Sequence, residues 1–142
     1  MIEIRENTLT AGQFLQLYTS VGWDAPGIEQ IEAAIAHSLC TFAVYDGDRL
    51  VGMARLLGDC AMTYYLKDLV VLPDCQGKGI GRSLLQHIDG YILRGLPAGW
   101  WVSVELLSAK GKEPFYEKFG FVRRPDDVLG CGMMKMIGKE AV

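Results

Sequence analysis

The sequence predicts one α/β domain over residues 1–142: a mixed, mostly antiparallel sheet flanked by helices in the order β-α-α-β-β-β-α-β-α-β, with a further strand allowed at the end. Three observations predict it. Apolar residues recur at helical spacing early in the chain and again after Arg82, and at period two between. Asp46-Gly47 lies between two β-type runs, the strongest short hairpin signal present. A glycine-rich stretch, Gln76 to Arg82, separates an apolar strand pattern from an apolar helical one. Consecutive strands bracketed by helices bury their apolar faces as a sheet with helices packed on it.

Each element has its own signal. Ile2 and Ile4 alternate with Glu3 and Arg5, which marks a short strand. Thr10 followed by Gln13 has capping-box spacing, and Phe14, Leu17 and Val21 then repeat at helical intervals. After the loop Gly22 to Gly27, which holds Trp23, a second helix presents Ile28, Ile31 and Ile35 on one face, with Glu29 and Glu32 off it. Cys40 to Leu57 reads as two strands around the hairpin, and Gly58-Asp59 turns the chain into a third over roughly Met62 to Leu72. Beyond the glycines, Leu84, Leu85, Ile88 and Ile92 mark a helix that Gly95 and Pro97 end. Trp100 to Leu107 reads as a strand buried on at least one face. Pro114 suits the first turn of a short helix and Gly120 its end. Gly130 to Ile137 reads as a final strand.

Bulk properties narrow the function. With 142 residues, half of them apolar, the chain can bury one sizeable core. The net charge of −3 argues against a nucleic-acid partner, which calls for a basic face. No apolar run is long enough for a bilayer, so no membrane partner is expected. Cys40, Cys60, Cys75 and Cys131 stand far apart, without metal-ligand spacing, so no metal is expected. With no signal-peptide pattern, reduced thiols in the cytoplasm are the simplest reading. Cys75, beside the glycines, reads as a small filler before it reads as a reactive thiol.

Gly77, Gly79 and Gly81 sit where a strand becomes a helix, and one glycine would suffice for a turn. Three point to backbone that closely approaches a bulky anion, with unpaired N–H groups and the positive end of the helix dipole behind it. Lys78 and Arg82 can add charge at the rim. A nucleotide P-loop fails, because Gly79 follows Lys78 where Ser or Thr would hold magnesium. A dinucleotide fingerprint is weak, because G-x-G-x-G comes mid-chain after antiparallel strands. The pattern Q-x-x-G-x-G, met by Gln76, Gly79 and Gly81, fits.

The stretch "LKDLVVLPDCQGKGIGRSLL" closely resembles the coenzyme A site of GCN5-related N-acetyltransferases (GNAT), and the element order and "FYEKFGF" resemble that family too. The resemblance implies acetyl-CoA as co-substrate and acetyl transfer to a primary amine by direct attack through a tetrahedral intermediate. It implies that Leu69, Val70 and Val71 meet the pantetheine arm through their main chain, and that Gln76, Gly77, Lys78, Gly79, Ile80, Gly81 and Arg82 hold the pyrophosphate. It also implies that the strand carrying Leu69 splays from its neighbour to leave a slot.

Such chemistry needs a neutral amine, a stabilised oxyanion and a proton for the departing thiolate. No nucleophile–His–acid set stands out, which suits direct attack. Tyr116, at the tyrosine of the family's "FY-x-K-x-GF" segment, is the acid by resemblance; Phe115, Phe119 and Phe121 around it read as packing residues. Glu105 and Asp68, on the strands flanking the expected slot, are the candidate bases, directly or through water, though either equally suits an ion pair. The oxyanion donor is expected to be a main-chain N–H near Val70 or Val71. His37 and His87 read as surface residues. Where many relatives carry an asparagine that reaches the cofactor, Ser108 is the nearest polar stand-in, with Lys110 and Lys112 as candidates for the 3′-phosphate. The acceptor is expected near Gly22 to Gly27 and Arg123 to Gly130, as a small-molecule or peptide amine; Trp23 either stacks on it or caps the core. Homodimers are frequent among similar proteins, with the C-terminal strand as the pairing edge. A coenzyme A-binding sensor or partner module without catalysis is the competing reading.

Overall fold

The computed structural model describes residues 1–140. The chain divides into two compact units, Met1–Leu106 and Leu107–Val142. The first holds a five-stranded sheet with the strands in sequence order: β1 Ile2–Glu6, β2 Cys40–Asp46, β3 Arg49–Gly58, β4 Thr63–Val71 and β5 Ser103–Glu105. The first four pair antiparallel, and β5 joins β4 in parallel. Three helices accompany them: α1 Ala11–Ser20, α2 Ile28–Ala36 and α3 Ile80–Gly95.

Local chemistry sets these boundaries. The capping box forms as its spacing predicts: Gln13 N–H donates to Thr10 Oγ1 at 3.1 Å and Thr10 N–H donates to Gln13 Oε1 at 3.0 Å. Gly47, at φ +62°, takes the left-handed conformation the β2–β3 turn demands. The β3–β4 turn is tied by Asp59, whose Oδ1 accepts from the N–H groups of Ala61, Met62 and Thr63. Those three donors hold the Asp59 carboxyl down at about 2.

Phe14 and Leu17 of α1 and Ile31 of α2 pack on Met53 and Val70 of the sheet. Leu84, Leu85, Ile88 and Ile92 of α3 are also buried. The apolar face expected of α2 is narrower than its spacing suggests. Ile31 is buried but Ile28, in the first turn, is exposed, because the helix begins there and its N-terminus overhangs the core. Trp23 stands edge-on to Tyr18 at 5.0 Å and packs against the core cluster, so it caps the core.

The second unit contains α4, Glu113–Glu117, and a knot of rings: Phe115 meets Tyr116 at 5.1 Å and Phe119 at 5.2 Å, and Tyr116 meets Phe121 at 5.7 Å. Two expectations need correction. The strand expected over Trp100 to Leu107 shrinks to Ser103–Glu105, which pairs with Thr63 to Tyr65 of β4 and exposes Ser103 and Glu105 but not Val104. The final strand expected over Gly130 to Ile137 does not form among the described residues. A strand persists only when its main chain is paired and one face is buried. Here Gly130 and Gly132 supply no side chain to pack, and Met133, Met136 and Ile137 are all exposed.

These burial differences are measurable. Leu17→Ala, at a fully buried position, should cost about 2–5 kcal/mol, seen as a lower urea midpoint at unchanged m-value. Ile28→Ala should stay within about 0.5 kcal/mol, and a larger loss would place Ile28 in the core after all.

Candidate active site

The pairing of β4 is lopsided. On one edge it follows β3 along its length, with Val71 opposite Gly52. On the other edge, β5 accompanies only Thr63, Tyr64 and Tyr65, and pairing ends at Tyr65 opposite Glu105. From Leu66 to Val71 that edge carries no partner strand among the described residues, because β5 ends at Glu105. Main-chain direction follows from the β3 side. Leu72 N–H donates to Val51 O at 2.9 Å, and Val70 O lies 2.9 Å from where a Cβ on Gly52 would sit. Alternation then turns the N–H and C=O groups of Leu69 and Val71 into the open edge.

A 3₁₀ turn, Pro73–Cys75, links β4 to the glycine stretch. Gln76 Nε2 donates to Val71 O at 3.0 Å, so the loop is moored to the strand's end. Gly77 and Gly79 adopt φ +76° and +82°, and a Cβ at either would meet open space. Gly79 caps α3 without a side-chain bond, and the first amide with a helical acceptor is that of Ser83, bonded to Gly79 O at 3.0 Å. The amides of Ile80, Gly81 and Arg82 therefore lack helical partners, and Lys78 and Arg82 flank them, exposed. This cradle fits a diphosphate: free N–H donors, cationic rim and no Cβ in the way. Cys75 is buried, as a filler should be.

Beside the open edge, Asp68 is the surprise. Its Oδ2 accepts from Arg55 Nε at 2.9 Å, with the two side chains 8% and 13% exposed. Its backbone is left-handed, φ +55°. Arg55 also donates to Ser38 Oγ at 3.4 Å. The expected base is thus already half of a buried ion pair. Glu105 is exposed at the fork and accepts from Ser103 Oγ at 3.1 Å. Tyr65 stands opposite it; burial pushes the Tyr65 phenol up, and the Glu105 and Asp68 carboxylates push it further. A cavity of about 160 Å³ opens between α1, α2 and this part of β3 and β4, lined by Phe14, Tyr18, Gln30, Arg55, Lys67 and Asp68 among others. A larger one, about 430 Å³, lies at the opposite end of α3 from the glycines, beside Glu6, Cys60 and Arg94.

In the second unit, burial pushes the Tyr116 phenol up. Ser108 Oγ donates to Ala109 O at 2.8 Å, and Lys110 and Lys112 are exposed. The histidines do no work in the slot: His37 Nδ1 bonds Ala33 O at 2.8 Å, and His87 Nε2 meets Glu6 Oε2 at 2.7 Å.

The acetyltransferase (GNAT) domain family matches residues 37–123, which hold β2 to α4 and Asp68, Glu105, Tyr116 and the glycine stretch Gln76 to Arg82. The chain belongs to the GNAT acetyltransferase family. Among solved structures, a GNAT family protein, SP0256 of Streptococcus pneumoniae, is 32% identical with a TM-score of 0.76, over 99% of this chain and all of that one. A probable acetyltransferase, SA2161 of Staphylococcus aureus, is 28% identical with a TM-score of 0.81, over 96% of this chain and all of that one. An uncharacterised ycf52-like N-acetyltransferase of Prochlorococcus marinus is 32% identical over 83% of this chain, which spans 66% of that relative's length.

Several residues of this GNAT site escaped the sequence. Arg55 and Tyr65 are the clearest. A signal existed for Arg55: "GMARLL" places one charge, Arg55, and "LKDLVV" two, Lys67 and Asp68, inside apolar strands, and opposite charges in successive hairpin strands call for each other. Gly52 escaped too; a side chain there would strike the Val70 carbonyl.

Because a Cβ at Gly79 meets nothing in the protein, Gly79→Val strains φ without a clash, and should cost about 1–2 kcal/mol of stability. Saturating coenzyme A should raise the melting temperature of the wild-type protein and leave that of Gly79→Val unmoved; an undiminished shift in the variant would remove the loop from the phosphate site.

Proposed function

We propose that this protein is an acetyl-CoA-dependent N-acetyltransferase that moves an acetyl group to a primary amine by direct attack. The observation that carries the reading is the unpartnered edge of β4, Leu66 to Val71, ending in a loop of free amides moored to Val71 by Gln76. An extended amide-bearing arm can take the place of the missing strand while its diphosphate rests on the amides of α3, so that a thioester lies along Leu69 to Val71. The main-chain N–H of Val71, turned into that edge, is the donor in best position to receive the oxyanion.

The residues then divide the proton work. Glu105, exposed at the fork, is the carboxylate that draws the proton from the incoming ammonium, directly or through water. Tyr116 is the acid for the departing thiolate: its usual value is about 10, and burial raises it further, so the proton is present throughout the neutral range. The acceptor amine, small molecule or peptide, enters through the cavity between α1, α2 and β4. Ser108, Lys110 and Lys112 are assigned to the outer parts of the coenzyme. Four free thiols suit a reducing compartment such as the cytoplasm.

Thiol release from acetyl-CoA over a panel of primary amines tests the reading. Tyr116→Phe should lower kcat about 100-fold with little change in KM for acetyl-CoA. Glu105→Gln should be impaired near neutral pH and recover as pH passes the pKa of the amine, because a neutral amine needs no base. Coenzyme binding without turnover of any amine would point instead to a sensor or partner module. We extend the reading to the assembly: β5 is an edge strand and Met133, Met136 and Ile137 are exposed, apolar surface that a second copy would cover. Light scattering should then give twice 15.7 kDa, and a monomer mass at micromolar concentration would reject the dimer.

A further inference from the structure

Two registers meet in β4. Lys67 pairs with Arg55 and Val70 with Met53, so β4 advances three residues while β3 steps back two. Asp68 and Leu69 together oppose Ala54, which is a β-bulge, and Asp68 is the residue that bends, at φ +55°. The bulge has a consequence for every residue after it. A strand that ran straight through would turn each following side chain to the other face. Val70, 2% exposed in the core with Phe14, Leu17, Ile31 and Met53, would then point to the opposite face of the sheet, and the amides of Leu69 and Val71 would turn away from the open edge.

Left-handed backbone is unfavourable for a side-chain-bearing residue, and Asp tolerates it better than most. What holds it here is visible: Arg55 Nε to Asp68 Oδ2 at 2.9 Å, both groups largely buried, with Arg55 steadied by Ser38. If Asp68 took a regular strand conformation, its carboxylate would leave the guanidinium and strand a charge on each side. Arg55 is the register partner of Lys67, one residue before the bend, so the clamp spans the point where the register changes.

We propose that Asp68 is a positioning residue and not the base: its ion pair with Arg55 locks the β4 bulge and so aims the main chain of Leu69 to Val71 into the slot. This rests on the function proposed above for that slot, but the clamp itself can be examined without any turnover. The device also explains why a carboxylate can sit on the active-site strand yet be committed to another partner. Ser38, at the end of α2, extends the clamp toward the helix layer, so the bend is anchored from outside β4 as well as from β3.

Removing one charge alone would leave the other buried and unpaired, so the test removes both and varies only the backbone preference at residue 68. In Arg55→Met/Asp68→Asn the ion pair is gone while residue 68 tolerates the left-handed φ as Asp does; in Arg55→Met/Asp68→Gly that φ carries no steric cost and needs no clamp. Thermal melts first establish that each variant folds. NMR of the free protein then reads the register through the cross-strand contact between Met53 and Val70. Calorimetry reads coenzyme A affinity, and steady-state kinetics reads kcat. The asparagine variant should lose the contact and about tenfold or more in affinity. The glycine variant should keep the Met53–Val70 contact, with coenzyme A affinity within about fivefold of wild type. Retention of the Met53–Val70 contact in the asparagine variant would overturn the clamp. An equal collapse of kcat in both variants, with register and affinity intact, would overturn it in favour of Asp68 as the base. Failure of wild type to bind coenzyme A would sink the proposed function and leave the register result standing on its own.

Discussion

The whole arrangement depends on one strand that is hydrogen-bonded along one edge and bare along most of the other. An open edge is ordinarily a hazard, because unpaired N–H and C=O groups recruit whatever strand comes near. Sheets avoid it by pairing or covering. Here β4 is an interior strand of the sheet, between β3 and β5, and still runs six residues past its last partner on the β5 side. Stability must therefore come from elsewhere. It comes from the long β3 pairing and from Val70 and Leu66, whose buried side chains hold β4 to the core whatever happens at its edge.

That edge and the glycine loop act as one body because of short links between them. Only eight residues separate Val71 from Ile80, and within them Gln76 bonds back to Val71, Cys75 N–H donates to Leu72 O at 2.8 Å, and Arg49 grips Asp74 at 2.9 Å. The Arg49–Asp74 pair is exposed and adds little stability by itself. Its value is geometric, since it fixes the turn against the start of β3. A ligand that satisfies the bare edge and the free amides together is therefore measured by a ruler of fixed length, a constraint that separates a diphosphate on an extended arm from a free phosphate or a short peptide.

Much of this was legible in the sequence because it is written in local patterns. The capping box at Thr10, the turn at Gly47 and the glycines at 77, 79 and 81 each depend on residues within four positions of one another, and each stands where its pattern puts it. What was illegible depends on distant pairing. Asp68 reads equally as a base or as half of an ion pair until Arg55, thirteen residues back, is placed beside it. The shortness of β5 could not be read from "WWVSVELL", whose β-propensity is high throughout; strand length is decided by how far the chain keeps its pairing with β4, and here that ends at Glu105. The same holds for Gly130 to Ile137, where a strand-like composition finds no partner within the described residues. Gly52 was invisible for a related reason, since nothing nearby in sequence announces the Val70 carbonyl.

The charges around the cavity bear on the protonation of an amine that enters it. Its wall holds two cationic side chains, Arg55 and Lys67, and one carboxylate, Asp68, which Arg55 already neutralises. An ammonium there meets net positive charge and loses the solvation of bulk water, and both effects favour its neutral form. Neutral amine is the form that attacks a thioester. A free carboxylate lining the same cavity would do the reverse, gripping the ammonium and holding its proton in place. The geometry instead leaves its uncommitted carboxylate, Glu105, at the fork with Ser103 and open to solvent, where a proton can be received and passed on. On the function proposed here, committing Asp68 to Arg55 would serve two ends at once: fixing the bend in β4, and keeping the acceptor side of that bend from stabilising the unreactive form of an amine.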